Sequence, residues 1–381
     1  MLAIEYAQQL IRFDSTWYRS NLEISDFVEQ QLMQLGFTTE RVEFLDSAGT
    51  RKCNVLGRRG EGPGGLAYFC HTDVVPADTW FTTEHGPFEG VVRDGRLYGR
   101  GSCDMKGSLA CMLAAVKQQS HQTWRAPLYI SCTADEEINH GGIDQVVQRS
   151  QWFRDLRAGG ACGIVGEPTM LEPVYGHKGG CRIIIRSRGR AAHSSTGLGC
   201  NANLAMIPFL VEVKAVYDET QSDARWQNPE FQPPTICLNF LISDHTRAPN
   251  VTPPESTCIV AFRPMPGTDT AAIVERLRQA AVANGLEFQP ELSLAPFYCD
   301  PRSPYMQTVV EFTGGARPRT VAYGSEASNL AELRNLVVLG PGSVEQAHTH
   351  DEWISLEQLE RGTRLYEAFL QRYCIAPPQA S

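Results

Sequence analysis

Three carboxylates in a row, Asp135-Glu136-Glu137, stand directly after a short uncharged run, Leu128-Tyr129-Ile130-Ser131-Cys132-Thr133-Ala134. The run reads as a buried strand and the acids as its rim, where open α/β sheets bind their ligands. Adjacent carboxylates repel unless a cation lies between them or one keeps a proton. A bound metal relieves that repulsion, leaving one Glu as ligand and the other free to carry protons. Taken alone, an acidic triplet is more simply a solvated loop. Its surroundings change that reading.

The same arrangement recurs along the chain. His71 and Asp73 follow the apolar run 65–70, and Asp104 lies in Gly99-Arg100-Gly101-Ser102-Cys103-Asp104-Met105-Lys106-Gly107. Glu167 follows the run 161–166, and His348 comes soon after 337–340, with His350 as the second choice for that place. Groups at successive strand ends converge on one rim of one sheet. Mixed His and carboxylate donors suit Zn²⁺, with Co²⁺ or Mn²⁺ as substitutes. There are enough of them for two ions sharing a carboxylate, an arrangement that activates water and polarises a carbonyl together. Cys70 and Cys103 precede ligands directly, but neighbouring side chains on a strand face opposite ways, so both read as buried thiols. His177 reads as a structural residue at a hinge, and His85, His121, His140 and His245 as surface or loop residues. The Gly-rich run 60–65 lacks the Lys and following helix of a phosphate loop and reads as a turn.

The elements that must position these residues follow from periodicity. Residues 1–37 read as helical, ending at Gly36, and a further apolar helix runs over 108–119. Strands alternating with helices predict an α/β domain with a central, largely parallel sheet flanked by helices. Near residue 178 the order changes to strand, helix, two strands, helix and strand. That order predicts an inserted α+β domain with an antiparallel sheet and two helices over 178–292. The metal-binding domain is then assembled from 1–177 and 293–381, closed by a helix over 356–373. The tail 377–381 is expected to fray.

Taken together, His71-x-Asp73, Gly101-x-x-Asp104-Met105-Lys106-Gly107, Asp135-Glu136-Glu137, Gly166-Glu167-Pro168 and His348 resemble the five metal motifs of the M20 family of co-catalytic metallohydrolases. The likeness spans essentially the whole chain. It implies that Asp104 bridges two zinc ions, with His71 and Glu167 on one and Glu137 and His348 on the other. It also implies Glu136 as general base, Asp73 as the partner orienting His71, and a cis peptide after Asp104. His193 in the insert would donate a hydrogen bond to the scissile carbonyl, in relatives across a homodimer interface built by the insert. Asn250 and Arg263 resemble the family's binders of the substrate carboxylate, and a planar guanidinium suits that partner. Gly324-Ser325-Glu326-Ala327 and the segment 340–352 resemble the acetylornithine deacetylase branch most closely, near succinyl-diaminopimelate desuccinylase. Glu326 would then meet a cationic side chain, with Ser325 standing where that branch has Thr. Ser328-Asn329 departs from the branch, where Pro and an aromatic are common. The expected reaction is hydrolysis of a small N-acyl amino acid, N-acetylornithine first. A carboxypeptidase, a dipeptidase or a desuccinylase is the alternative.

Composition sets wide bounds. The chain has 381 residues, 42% hydrophobic and 20% charged, with a net charge of −9. That balance speaks against a nucleic-acid surface. No apolar run is long enough to cross a membrane. The first residues, with Glu5, Arg12 and Asp14, read as an amphipathic helix, not as a secretion signal. Twelve scattered cysteines without a Cys-x-x-Cys pair read as reduced thiols, which predicts a cytoplasmic protein.

Overall fold

Helix Lys106–Gln118, of sequence KGSLACMLAAVKQ, is apolar on every side, and a helix of that kind must be enclosed. In the computed structural model, which describes residues 2–375, every residue from Lys106 to Val116 is buried. Helices Leu2–Ile11 and Leu356–Leu370 pack against it. The tail 377–381, expected to fray, lies outside the described residues. The chain divides into two units. One comprises Met1–Gly176, Cys299–Arg319 and Ser325–Ser381, and the other His177–Tyr298 with Thr320–Gly324.

The first unit is built on a mixed sheet. Its spatial order runs Thr38–Leu45, Arg51–Arg59, Leu128–Thr133, Leu66–His71, Cys162–Val165 and Leu336–Val338. The last four strands of that series are mutually parallel, and the first three pair antiparallel with one another in turn. Leu66–His71 and Leu128–Thr133 are buried at every position, as strands covered on both faces should be. A hydroxyl chain threads this core. Tyr68 Oη lies 2.7 Å from Ser108 Oγ, which lies 2.8 Å from Tyr366 Oη, and Tyr366 donates to the Leu339 carbonyl at 3.1 Å. Each buried hydroxyl thereby keeps a partner, avoiding the cost of an unpaired polar group.

The second unit has an antiparallel sheet in the order Cys237–Ser243, Glu255–Arg263, Gly180–Arg188 and Glu287–Leu294. Helices Ala202–Ser222 and Thr270–Ala283 cover one face, burying Phe209, Val213, Ile273 and Leu277 against Ile183, Ile185, Cys258 and Val260.

The helical reading of residues 1–37 needs one correction. Two helices, Leu2–Ile11 and Leu22–Gln34, are separated by an irregular stretch. There Asp14 accepts from both the amide and the hydroxyl of Thr16, at 3.2 and 2.6 Å, a local side-chain bond that competes with helix. Thr16 also bridges to Val74, just past the strand that ends in His71. Strand Thr38–Leu45 escapes the periodicity reading because only Val42 in it is buried.

Candidate metal centre

The parallel strands deliver their C-terminal ends to one rim. His71 is the last residue of its strand, Asp135-Glu136-Glu137 begins two residues after the end of Leu128–Thr133, and Glu167 follows Cys162–Val165. Asp104 comes from the loop before the buried helix, through a cis Asp104–Met105 peptide. His348 lies in the segment after Leu336–Val338, in the left-handed region at φ 63°. That conformation is costly for a residue other than glycine and is held by its surroundings.

Asp104 stands between two sets of donors. Its Oδ1 lies 3.2 Å from His71 Nε2, which is 3.8 Å from Glu167 Oε1. Its Oδ2 lies 3.3 Å from His348 Nε2, which is 2.9 Å from Glu137 Oε2. Ligand atoms of His71, Asp104 and Glu137 fall within 4.8 Å of one another, as do those of His71, Glu136 and Glu167. The tautomer of His71 follows from its other nitrogen. Nδ1 lies 2.9 Å from the Asp73 main-chain carbonyl, which can only accept, so Nδ1 carries a proton and Nε2 is the nitrogen turned to the ligand cluster; against the pull of burial, the Asp104 hydrogen bond and the surrounding carboxylates hold this imidazole well above its usual range. The Asp73 carboxylate is farther, 3.7 Å from Nδ1, and instead accepts the amides of Glu136 and Glu137 at 3.3 and 3.1 Å. It fixes the acidic turn as well as facing the histidine.

The electrostatics are those of a carboxylate cluster short of positive charge. Burial, with Asp104 adding to it, pushes Glu137 up to about 8 and holds Glu167 well above the usual range. Burial pushes Glu136 up to about 7, with His71 opposing and Asp104 adding. Hydrogen bonds to Asp104 and Glu137 push His348 up to about 11. For Asp104 itself, burial is outweighed by the two imidazoles, which hold it below the ordinary value. Glu137 Oε1 is buried with no hydrogen-bond partner among the described residues. An unpartnered buried carboxylate oxygen beside two imidazoles and three more acids fits a divalent cation, and the donor set suits zinc.

The loops behind the ligands are tightly held. Glu352, fully buried, accepts from Arg100 Nη1 and from the amides of Gly101, Cys103 and Asp104 at 2.7–3.0 Å. Lys52 pairs with Asp135 at 2.8 Å in the interior. Gly142 passes so close to the acidic turn that a β-carbon there would sit 2.0 Å from the Ala134 carbonyl. Cys70 and Cys103 are buried; the first points to the Ser131 carbonyl and the Cys132 sulfur, the second to the Ser343 carbonyl.

Sequence reading misses one residue of this site. His140 lies in the junction between two short helices, as a loop residue, but is buried and not at the surface, with Nε2 3.3 Å from Glu136 Oε1. Its spacing of four from Glu136 is the available signal. Glu326 is fully buried and accepts from Thr133 Oγ1, while burial, against that hydrogen bond, pushes it up to about 7. Ser325 caps the short turn Glu326–Asn329 by accepting the Ala327 amide. His350 is exposed, its ring edge-on to Phe81. His177 is buried against Phe297 in the second unit.

The second unit holds the remaining candidates. His193 and Asn250 lie on adjoining segments: the Ser194 amide donates to the Asn250 carbonyl at 2.9 Å, and His193 bridges to Val251. The Ser195 amide donates to His193 Nδ1 at 3.3 Å, which leaves Nε2 as the protonated, exposed nitrogen. Arg263 ends its strand exposed, and a β-carbon on Gly180 or Gly324 would lie 3.7 Å from its Nη1.

Known proteins that resemble this chain point to one family. The model of peptidase family M20/M25/M40 matches residues 67–372. An acetylornithine deacetylase of Myxococcus xanthus is 32% identical over 381 residues, covering 96% of each chain. One of Yersinia pseudotuberculosis is 33% identical over 374 residues, covering 95% of this chain and 93% of the relative. Among solved structures, an M20 family metallo-carboxypeptidase of Sulfolobus solfataricus superposes with a TM-score of 0.76 at 17% identity, covering 97% of this chain and 99% of the other. At that identity the superposition speaks for the fold.

Proposed function

Since the chain belongs to peptidase family M20/M25/M40, we propose that it is a metal-dependent amidohydrolase that deacylates an N-acyl amino acid, N-acetylornithine to ornithine and acetate. The observation that carries this reading is the place of Asp104, one oxygen toward His71 and the other toward His348. His71, Glu167 and Asp104 would hold one zinc ion, and Glu137, His348 and Asp104 a second. Two such ions supply Lewis acidity for the amide carbonyl and lower the pKa of water.

The chain's own groups do the rest. Glu136 takes a proton from the attacking water and returns it to the leaving nitrogen, a task open to a carboxyl that sits beside the ligand Glu137 without being needed as a ligand itself. Asp73 fixes both His71 and the acidic turn. His193 donates from Nε2 to the developing oxyanion. Arg263 and Asn250 receive the substrate's carboxylate. Glu326 receives a cationic side chain, whose charge would keep that buried carboxyl ionised. Ser325 holds its turn.

We assign the homodimer contact to the second unit. Leu204, Ile207 and Val211 lie on one stripe of helix Ala202–Ser222 at 65, 54 and 65% exposure. The edge strand Cys237–Ser243 exposes Leu241 and Ile242 as well. Apolar surface of that extent on a helix and an open strand edge is the material of a self-complementary interface. Among the described residues no helix is long and apolar enough to cross a membrane.

The test is amine release by zinc-reconstituted protein from N-acetylornithine, other N-acetyl and N-succinyl amino acids, and dipeptides. Preference for N-acetylornithine, lost on chelation and regained with zinc, is the expected result. Preference for dipeptides would move the substrate to the peptidase side of the family. No turnover by protein with both ions bound overturns the proposal.

A further inference from the structure

We infer that His140 is a positioning residue for the Glu136 carboxyl, its Nε2 turned toward that carboxyl as a hydrogen-bond acceptor by Asn329 and Asp144. The inference rests on the reading of Glu136 as general base. An ionised Asp144 can only accept, so the group of Asn329 that faces it at 2.7 Å is the amide nitrogen. The Asn329 oxygen is thereby turned to His140 Nδ1, at 2.9 Å, where it too can only accept. Nδ1 must carry the proton. Burial lowers the affinity of this imidazole for a second proton, against the Asn329 hydrogen bond. In the neutral ring Nε2 then holds a lone pair, and it lies 3.3 Å from Glu136 Oε1.

A lone pair facing a carboxylate oxygen makes no hydrogen bond, but it accepts one from the same oxygen once that oxygen bears a proton. The pair therefore engages in the part of the cycle when Glu136 is loaded. The O–H···Nε2 contact holds the side chain in one rotamer and keeps the proton from leaving with bulk water. No proton passes to His140, and the balance of the reaction is unchanged: the proton taken from water is the one delivered to nitrogen.

Two features of the backbone support a built arrangement. His140 takes φ 58°, a left-handed conformation found in a few per cent of non-glycine residues and more readily in asparagine, aspartate and histidine, and it does so while buried. Asn329 arrives from a turn 189 residues away in sequence.

The experiment combines a spectrum with kinetics. In protein labelled with ¹⁵N-histidine, long-range ¹H–¹⁵N correlation is expected to give His140 as the Nδ1–H tautomer, in metal-free and zinc-loaded protein alike. Asn329→Leu should release the ring into a mixture of tautomers. Against the best substrate, His140→Leu should lower kcat roughly 10–100-fold with KM and bound zinc unchanged, the scale of a misplaced catalytic group. Asn329→Leu should lower kcat less, and the double variant should be no worse than His140→Leu alone. An Nε2–H tautomer in the wild type overturns the inference whatever the activity. So does a normal kcat in His140→Leu, or additive losses in the double variant. Should His140→Leu not fold, the spectrum and the half-buried Asn329 decide. A wild type that cleaves no amide refutes the functional reading, and the tautomer is still read independently.

Discussion

Glu352 and Asp104 are 248 residues apart in sequence, yet the Glu352 carboxylate accepts the Asp104 amide at 3.0 Å. The same carboxylate gathers the amides of Gly101 and Cys103 and the Arg100 guanidinium, so one buried side chain sets the path of the loop that carries the shared ligand. Glu352→Gln keeps the size but replaces one acceptor oxygen with a donor facing N–H groups. A loss of about 1–3 kcal/mol in stability is expected. Zinc affinity should fall by roughly 10–100-fold, as for other partners that stand behind metal ligands. Urea unfolding and a zinc titration check the two numbers separately.

Asp104→Asn should reduce bound zinc at both places, because each oxygen of Asp104 faces a different histidine. His348→Ala should weaken one ion and leave the other, giving a stoichiometry near one per chain. Glu136→Gln should retain both ions while kcat drops by roughly 10²–10⁴-fold, the usual worth of a general base. Metal analysis of dialysed protein, run beside the kinetics, separates the three. Equal metal loss in Asp104→Asn and His348→Ala would contradict the shared-ligand assignment.

Lys52 and Asp135 form an ion pair in the interior, 1 and 3% exposed. Lys52 also donates to the carbonyls of Trp17 and Arg19. Burial still pushes Asp135 up to about 6, against the pull of Lys52, so the pair has little to spare. Lys52→Met strands a buried carboxylate next to the acidic turn and should cost about 3–5 kcal/mol in urea unfolding. Adding Asp135→Asn to Lys52→Met should recover part of that loss. A single-variant loss below about 1 kcal/mol would show that the pair is not desolvated as described.

How much of the molecule is legible in its sequence follows the range of the forces involved. The buried strands leading to His71, Glu137 and Glu167 can be read because a continuous apolar run that stops abruptly at acids marks a covered strand meeting a polar rim. Strand Thr38–Leu45 is hidden by its exposure, since a charged edge strand carries little periodic signal. His140 escapes because the partner that fixes its ring is Asn329, which local sequence cannot bring near it. Lys52 illustrates the same limit: nothing around it in the sequence announces that a lysine is enclosed, and what makes that tolerable is its pairing with the distant Asp135 together with the carbonyls of Trp17 and Arg19.

Ile207→Glu tests the proposed interface in the second unit. Ile207 lies at the centre of the exposed stripe made with Leu204 and Val211, so a carboxylate there touches nothing in its own unit's core. The folded stability should change by less than about 0.5 kcal/mol, as for surface substitutions generally. Sedimentation should shift from dimer to monomer, because an unpaired charge in an apolar contact is costly. A variant that remains dimeric would place the contact elsewhere.

Glu326 gives a pH dependence whose sign is fixed by its burial. Its carboxyl is pushed up to about 7 in the folded chain from an ordinary value of 4.5. Between those values the folded state holds a proton that the unfolded state has released. Stability from this group is therefore full at low pH and declines as pH rises toward 7. Across that window the loss is on the order of 3 kcal/mol. Glu326→Gln removes the titration, so in metal-free protein its stability relative to wild type should rise as pH goes from 5 to 7. Urea unfolding at several pH values gives the difference directly, with the other buried acids cancelling between the two proteins. A constant difference would mean that Glu326 stays ionised in the fold. It would then need a permanent cationic partner, and the role proposed for it toward a substrate ammonium would have to be abandoned.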